Sequence, residues 1–415
     1  MPKLNSPVSL ERDTTPESQG DLSPKAVMEA DNFLDISVSH LNKRGEELCG
    51  DKIKYLKTAN KAIIVLSDGL GSGVKANILA TLTTEILFTM LNADIPLEEV
   101  LKTVIATLPT CKVRKIAYST FTIVQVDLTT NHFCVINFDN PPPFYFHQGQ
   151  SVPLEMKSQE ILDRKIQLGE GYLQRGDFLG AISDGVLYAG MGTTMNFGWG
   201  WENIARYIEQ VLRNTTHTAR TIIKAVMGHT RHLYQGEIGD DASFVGVYIR
   251  KRNSLMIFTG PPLQADQDEH YVDRFLSFEG RKVICGGTTG NIVANFLGEI
   301  IDMDFSTMRR ELPPIGMLSS VDLVTEGILT LSKATEYIRR CKCNLNHLQF
   351  DNNGAYLLAK EILEADSIHL LVGQSINEFY QNPLLPKNIS IRRSLIENLI
   401  DVLQNGQKEV EVEYC

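Results

Sequence analysis

Apolar runs along this chain end again and again in an acidic residue followed by glycine, and the segments between them switch between two periods. "IKYLKTANKAIIVLSDG" gives two strand-like runs around a polar turn. Residues 74–91 then place apolar positions three and four apart, which predicts a mostly buried helix, and residues 97–106 predict a second. Between residues 118 and 154, apolar and polar positions alternate in two stretches. They break at Leu128-Thr129-Thr130-Asn131 and at three consecutive prolines, the pattern of a hairpin-rich β region. "GDFLGAISDGV" predicts another strand ending in Asp-Gly. Helical patterns over 201–213 and 219–234 follow, and "IGDDASFVGVYIRK" closes the region on a strand. An earlier alternating segment, 33–38, opens it.

From about Lys251 the grammar changes. "RKVICGGTTGNIVANFLGEI", "VDLVTEGILTLSKATEYI" and "SIHLLVGQSINEFY" each run apolar strand, glycine-containing turn, helix, which implies a separate layer of parallel strands. "TGPPLQADQDEH", residues 259–270, has the composition of a linker. The expected organisation is a tail over 1–30, an α+β domain over 31–250, a linker or first strand over 251–270, and a smaller α/β domain over 271–415.

Composition narrows the classes. With 415 residues, two domains are the natural expectation. A net charge of −10 argues against a dedicated nucleic-acid binder, since phosphate backbones select for excess Lys and Arg. The continuous apolar runs are short of a membrane span, so no membrane partner is expected. The first 25 residues are rich in Ser, Pro, Asp and Thr without an apolar core, which predicts a disordered tail and a cytoplasmic location. Seven scattered cysteines suggest free thiols; Cys341 and Cys343 lie close but have no neighbours to complete a zinc pattern.

Chemistry concentrates at the strand ends. Asp68-Gly69, Asp184-Gly185 and Asp240-Asp241 each terminate or flank an apolar run, and Asp51 follows Gly50. One Asp-Gly is an ordinary turn signal. Four acids in matching contexts are harder to explain as turns, because converging carboxylates raise one another's pKa unless a cation neutralises them. Hard oxygen ligands suit Mg²⁺ or Mn²⁺, and two such ions about 3.5–4 Å apart can activate a water toward phosphorus. The loop Gly69-Leu70-Gly71-Ser72-Gly73 does not read as a nucleotide cradle: Val74-Lys75-Ala76 replaces the Lys-Ser/Thr of a Walker loop, and the glycine spacing misses the dinucleotide fingerprint.

Taken together, "GD…SDGLGSGVKAN…YSTFTIVQVD…NFDNPPPFYF…GDFLGAISDGV…GDDASFVGVYI" resembles the metal-dependent (PPM-type) serine/threonine protein phosphatases, in the branch typified by the sporulation stage II protein E phosphatase. The resemblance covers residues 35–250. It implies an αββα sandwich of two stacked antiparallel sheets with helices outside. It also implies two Mn²⁺ or Mg²⁺ ions, with a third as an option, held by Asp51, Asp68, the Gly69 carbonyl, Asp184 and Asp240, with Asp241 in support. The implied substrate is a phosphorylated regulatory protein, such as an anti-sigma-factor antagonist, hydrolysed directly by water. Asn140 stands where the family has His in its "Asn-Ala-Gly-His-Pro-Pro-Pro" turn. The family also implies that the helices over 74–91 and 97–106 can shift to complete the metal site.

Other residues carry open alternatives. His147 could protonate a leaving group, and Lys43 and Arg44 could contact phosphate, against ordinary surface roles for all three. "NFGWGW", residues 196–201, reads equally as a packed aromatic cluster or a docking surface. In the second domain Gly286-Gly287-Thr288-Thr289, Glu326-Gly327 and Gly373-Gln374 occupy strand-end places. They are either plain βα turns or an anion site for a small-molecule or protein ligand. A sensor or scaffold that uses the phosphatase fold for binding is the alternative to an enzyme, and a homodimer is among the expected assemblies. A nucleotide-binding or transferase protein built on "GGTTGN" would leave the acidic constellation incidental.

Overall fold

The computed structural model describes residues 31–107, 119–213, 218–375, 388–406 and 408–415. The expected tail over 1–30 lies outside them. Two compact units emerge: residues 36–248, and residues 249–415 together with 31–35.

The first unit runs β1 (Asn32–Leu41), β2 (Asp51–Lys57), β3 (Lys61–Gly69), α1 (Gly73–Asn92), α2 (Leu97–Thr107), β4 (Ser119–Asp127), β5 (His132–Phe138), β6 (Phe144–His147), β7 (Gln150–Ser151), β8 (Met156–Ile161), β9 (Arg164–Tyr172), β10 (Phe178–Ile182), α3 (Asp184–Leu187), α4 (Trp201–Leu212), α5 (Ala219–Leu233) and β11 (Ala242–Lys251). One sheet has the order β2-β3-β4-β5-β9-β8, antiparallel throughout, and the other β1-β11-β10-β6-β7. Helices α1 and α2 pack Leu87, Leu91, Val100 and Val104 onto Ile63, Val65, Phe121 and Ile136 of the first sheet. Helices α4 and α5 pack Ile204, Ile208, Ile222 and Val226 onto Phe144, Phe178, Ile182 and Phe244 of the second. β3 is buried from Ala62 to Ser67, as a strand covered on both faces must be. This is the αββα sandwich expected from the resemblance. The β8–β9 hairpin was not legible, because polar residues fill most of β8.

Helix α1 departs from the expected burial. Val74, Ile78 and Leu82, four apart, are 61%, 58% and 42% exposed, because a helix lying on one sheet face buries only the side it turns to that sheet. By length and composition α1 would also suit a membrane span; here its buried side lies on β2 and β3.

The second unit contains β12 (Ser254–Thr259), α6 (Asp268–Leu276), β13 (Arg281–Cys285), α7 (Gly287–Leu297), β14 (Asp302–Asp304), β15 (Ile315–Leu318), β16 (Val321–Thr325), α8 (Ile328–Arg340), α9 (Gly354–Glu364), β17 (Ser367–Val372), α10 (Asn388–Asn405) and β18 (Glu409–Tyr414). Its sheet order is β14-β15-β16-β13-β12-β17-β18. The five strands β16, β13, β12, β17 and β18 are parallel, and an antiparallel pair, β14 and β15, extends one edge. Leu255 and Ile257 of β12 face a core shared with α8, α9 and α10, while Met256 and Phe258 face the one under α6 and α7. Both faces are therefore covered.

Of the two readings for residues 251–270, linker or first strand, the structure contains the strand. Ser254–Thr259 is the middle strand of the parallel set, and the Pro-Pro segment after it is the connection into α6 within one unit. Residues 31–35 also sit with the second unit rather than the first. The Arg250 guanidinium donates to Asp35 and, through two nitrogens, to Asp366, and it lies over the Phe33 ring.

Candidate active site

Antiparallel pairing sets Asp51 directly opposite Asp68 in the β2–β3 ladder. Cross-strand partners put their side chains on one face, about 5 Å apart at Cβ. The other sheet supplies the remaining acids from one end. β10 and β11 pair as far as Ile182 with Phe244, and the Ser183 N–H donates to the Ser243 carbonyl at 3.0 Å. Asp184 then opens α3, and Asp240-Asp241 precedes β11.

Two glycines let these ends approach. A Cβ on Gly69 would stand 2.1 Å from the Ala76 carbonyl oxygen, and one on Gly185 would stand 2.1 Å from that of Asp241. The glycine after each aspartate is thus demanded by close backbone packing, not by positive φ. Gly71 and Gly73 do adopt positive φ, 107° and 65°, which turns the chain into α1.

The electrostatics are those of crowded carboxylates. Burial is the main cause that raises the Asp51 pKa; the Asp241 and Asp184 charges add to it, while the Ser183 and Ser243 hydroxyls pull it down. Asp68 is raised by burial first, then by the charges of Asp51, Asp184 and Asp240. Asp184 is raised by burial and then by Asp240. Asp51 Oδ2 is buried with no hydrogen-bond partner. Among the described residues no three His, Cys, Asp or Glu side chains close into a ready cage. The acids are neighbours whose repulsion a cation would relieve. An all-oxygen set with an orphaned buried carboxylate oxygen fits Mg²⁺ or Mn²⁺ and does not fit a zinc site.

Asp241 has a defined place. Its Oδ1 accepts from the Lys43 N–H at 2.9 Å and its Oδ2 from the Gly50 N–H at 2.8 Å, so it ties down the loop that delivers Asp51. Lys43 Nζ lies 3.7 Å from Asp240 Oδ1, whereas Arg44 pairs with Glu237. Tyr234 donates its hydroxyl to the Gly185 carbonyl at 2.8 Å. Burial first, then the Asp51 and Asp241 charges, pushes the Cys49 thiol up to about 12.

Some sequence candidates fall elsewhere. His147 is hydrogen-bonded through Nδ1 to Asp177 at 2.9 Å, at the start of β10. Asp184 follows that strand's other end, roughly 20 Å along the chain direction, so His147 has no part in the acidic site. Asn140 exchanges hydrogen bonds with Thr120 and Thr122 and holds the turn after β5. In the 196–201 segment the two tryptophans are packed, Trp199 buried and Trp201 stacked on Phe144 at 5.0 Å while donating to the Pro142 carbonyl, whereas Phe197 is 87% exposed. Sequence reasoning missed Ser183 and Ser243, although each sits one or two residues from a chosen aspartate in "ISDG" and "DDAS".

With this geometry in hand, similarity to known proteins follows. Residues 58–250 match the family model for stage II sporulation protein E (SpoIIE). Among solved structures, the chain is similar to the PP2C phosphatase domain with a fragment of the regulatory domain of SpoIIE from Bacillus subtilis, at 21% identity over 54% of this chain and 65% of that one, TM-score 0.46. It is also similar to the RsbU and RsbW domains of Rv1364c from Mycobacterium tuberculosis (17%, 59% and 67%, TM-score 0.45) and to RsbX in complex with magnesium (18%, 54% and 98%, TM-score 0.39). The chain thus spans just under two thirds of the first of these. No curated protein matches. The family-model match is confined to residues 58–250, a little under half of the chain, and it is that region which is similar to SpoIIE.

Proposed function

We propose that the first unit is a divalent-cation-dependent phosphatase that hydrolyses phosphoserine or phosphothreonine on a regulatory protein, such as an anti-sigma-factor antagonist. The observation that carries this reading is the in-register pair Asp51–Asp68 with Asp184 and Asp240 beside it, including the partnerless Asp51 Oδ2. Asp51, Asp68, the Gly69 carbonyl, Asp184 and Asp240 would hold Mg²⁺ or Mn²⁺, which when bound supply Lewis acidity and a water of lowered pKa. The chain's own groups do the rest. Ser183 and Ser243 face Asp51 and favour its ionised form. Asp241 fixes the 43–50 loop through two backbone N–H groups. Lys43 brings a cation to the rim, where a phosphoryl oxygen can meet it.

The test is hydrolysis of a phosphoserine peptide and of an aryl phosphate with Mn²⁺, Mg²⁺ or EDTA, on the native chain and Asp184→Asn. Metal-dependent turnover that falls by more than about a hundredfold in the variant supports the reading. Equal turnover in EDTA, or in the variant, overturns it.

A further inference from the structure

The second unit has an edge that the phosphatase reading does not use. Its parallel strands run in the order β16-β13-β12-β17-β18, so the chain leaves β12 toward β13 on one side, while β17 lies on the other. Ligands of open parallel sheets sit at the carboxyl ends of such a switch point. Here those ends are bare backbone. Gly373, Gly260 and Gly286 directly follow β17, β12 and β13, and Gly327 comes two residues after β16. They lie against one another. A Cβ on Gly373 would stand 2.3 Å from the Gly260 carbonyl oxygen, one on Gly286 would stand 4.0 Å from Gly260 N, and one on Gly327 would stand 3.4 Å from Gly286 Cα.

Helix α7 starts on this line with Gly286 at its N-cap, no capping side chain and no acid in its first turn. Its neighbour α8 differs: the Glu326 carboxylate already accepts from the N–H groups of Leu329 and Thr330. Thr289 supplies the second, independent observation. Its side chain is fully buried in the first turn of α7, and its Oγ1 has no hydrogen-bond partner. That oxygen is the atom nearest to where a Gly286 Cβ would stand, at 3.4 Å, so the hydroxyl is aimed at the N-cap and the glycine line. A buried hydroxyl without a partner is unfavourable, and natural proteins keep few of them.

A cation completes the set. Arg392 Nη1 donates to the Gly373 and Ser375 carbonyls at 2.9 and 3.2 Å, and a Cβ on Gly260 would stand 2.5 Å from it. Among the described residues no carboxylate pairs with this guanidinium.

We propose that this glycine-lined strand-end edge binds the phosphoryl group of a small phosphorylated molecule of the nucleotide class, recognised by the α7 N-terminus, the Thr289 hydroxyl and Arg392. Helix N–H groups, a hydroxyl and a planar guanidinium approach from different directions, which suits a tetrahedral oxyanion with several acceptor oxygens better than a two-oxygen carboxylate. Side-chain-free strand ends let neighbouring backbones close on one another, which brings the α7 N-terminus and Arg392 to the same edge. The proposal stands whether or not the first unit is a phosphatase.

The experiment uses the full chain carrying Asp184→Asn, in EDTA, so that phosphate retention at the acidic site does not enter the signal. Inorganic phosphate, AMP and ATP are titrated by calorimetry. Binding of at least one probe is expected, weakened about tenfold or more by Thr289→Val and by Arg392→Gln, and retained by Thr289→Ser. In the absence of probe, Thr289→Val should raise the thermal midpoint, because it removes the partnerless hydroxyl without changing shape. No binding by any probe up to about 10 mM overturns the proposal. So does affinity unchanged by Thr289→Val, or a lower midpoint for that variant, which would give the hydroxyl a structural partner. Should Arg392→Gln fail to fold, the Thr289 pair carries the test alone.

Discussion

The two units use one device with opposite charge. In each, strands end together and glycine lets neighbouring backbones close to contact distance: Gly69 and Gly185 in the first, Gly260, Gly286 and Gly373 in the second. In the first unit the residue before the glycine is Asp, and the ends form a pool of raised-pKa carboxylates. In the second the residues before the glycines are Thr259, Cys285 and Val372, and what faces the edge is a helix N-terminus, a hydroxyl and a guanidinium. The first arrangement asks for cations and the second for anions. In both units strand-end glycines let backbones meet, and the groups gathered around them, carboxylates in one and N–H groups, a hydroxyl and a guanidinium in the other, set the sign of the ligand.

The strongest way to break this comparison is at the glycines. Gly185→Ala would drive a Cβ into the Asp241 carbonyl, so loss of about 1–3 kcal/mol is expected in denaturant unfolding, together with loss of hydrolysis. Unchanged stability would mean the close approach is not required. Next comes Asp241→Ala, which strands the buried Gly50 N–H; about 1–3 kcal/mol of destabilisation and about tenfold weaker Mn²⁺ uptake are expected by unfolding and calorimetry. Asp241→Asn, which can still accept one of the two bonds, should fall between that and the native chain.

The smallest effect is one of pH. Asp51, Asp68 and Asp184 have folded pKa values above the ordinary carboxylate value. In metal-free protein the folded state then holds more protons than the unfolded one above about pH 4, so stability is present at low pH and falls as pH rises through the raised values. The thermal midpoint in EDTA should therefore drop from about pH 5 to about pH 8, and Asp68→Asn should flatten that slope. Adding Mn²⁺ should flatten or reverse it by binding the ionised form. A midpoint that rises with pH in EDTA would show that the carboxylates do not dominate the local field.

Legibility followed the same divide. The Asp-Gly strand ends could be picked out because a run of buried apolar residues broken by an acid is conspicuous, and each chosen aspartate came to lie at the crowded end of a sheet. Asp241 was legible only as a neighbour; that it fastens Lys43 and Gly50 depends on a loop nearly two hundred residues away in sequence. His147 misled because a strand pattern tells which residues alternate and not which end of the strand meets the site. The 251–270 segment stayed open between linker and first strand for a related reason: Pro-Pro and scattered polar residues look alike in a linker and in a tight βα connection, and only pairing on both sides of β12 separates them.

By itself the sequence determined the local terms: apolar periodicity, the acids and glycines at the ends of strands, and the change of grammar near Lys251. These depend on side chains a few positions apart, which any single chain displays. The tertiary structure alone decided the register that sets Asp51 against Asp68, the partnerless oxygens of Asp51 and Thr289, and the strand order that makes Gly260 and Gly373 neighbours. Those are contacts between segments far apart in the chain, fixed by the closing of sheets and the packing of helices on them, and no local pattern encodes which distant partner a buried group will find.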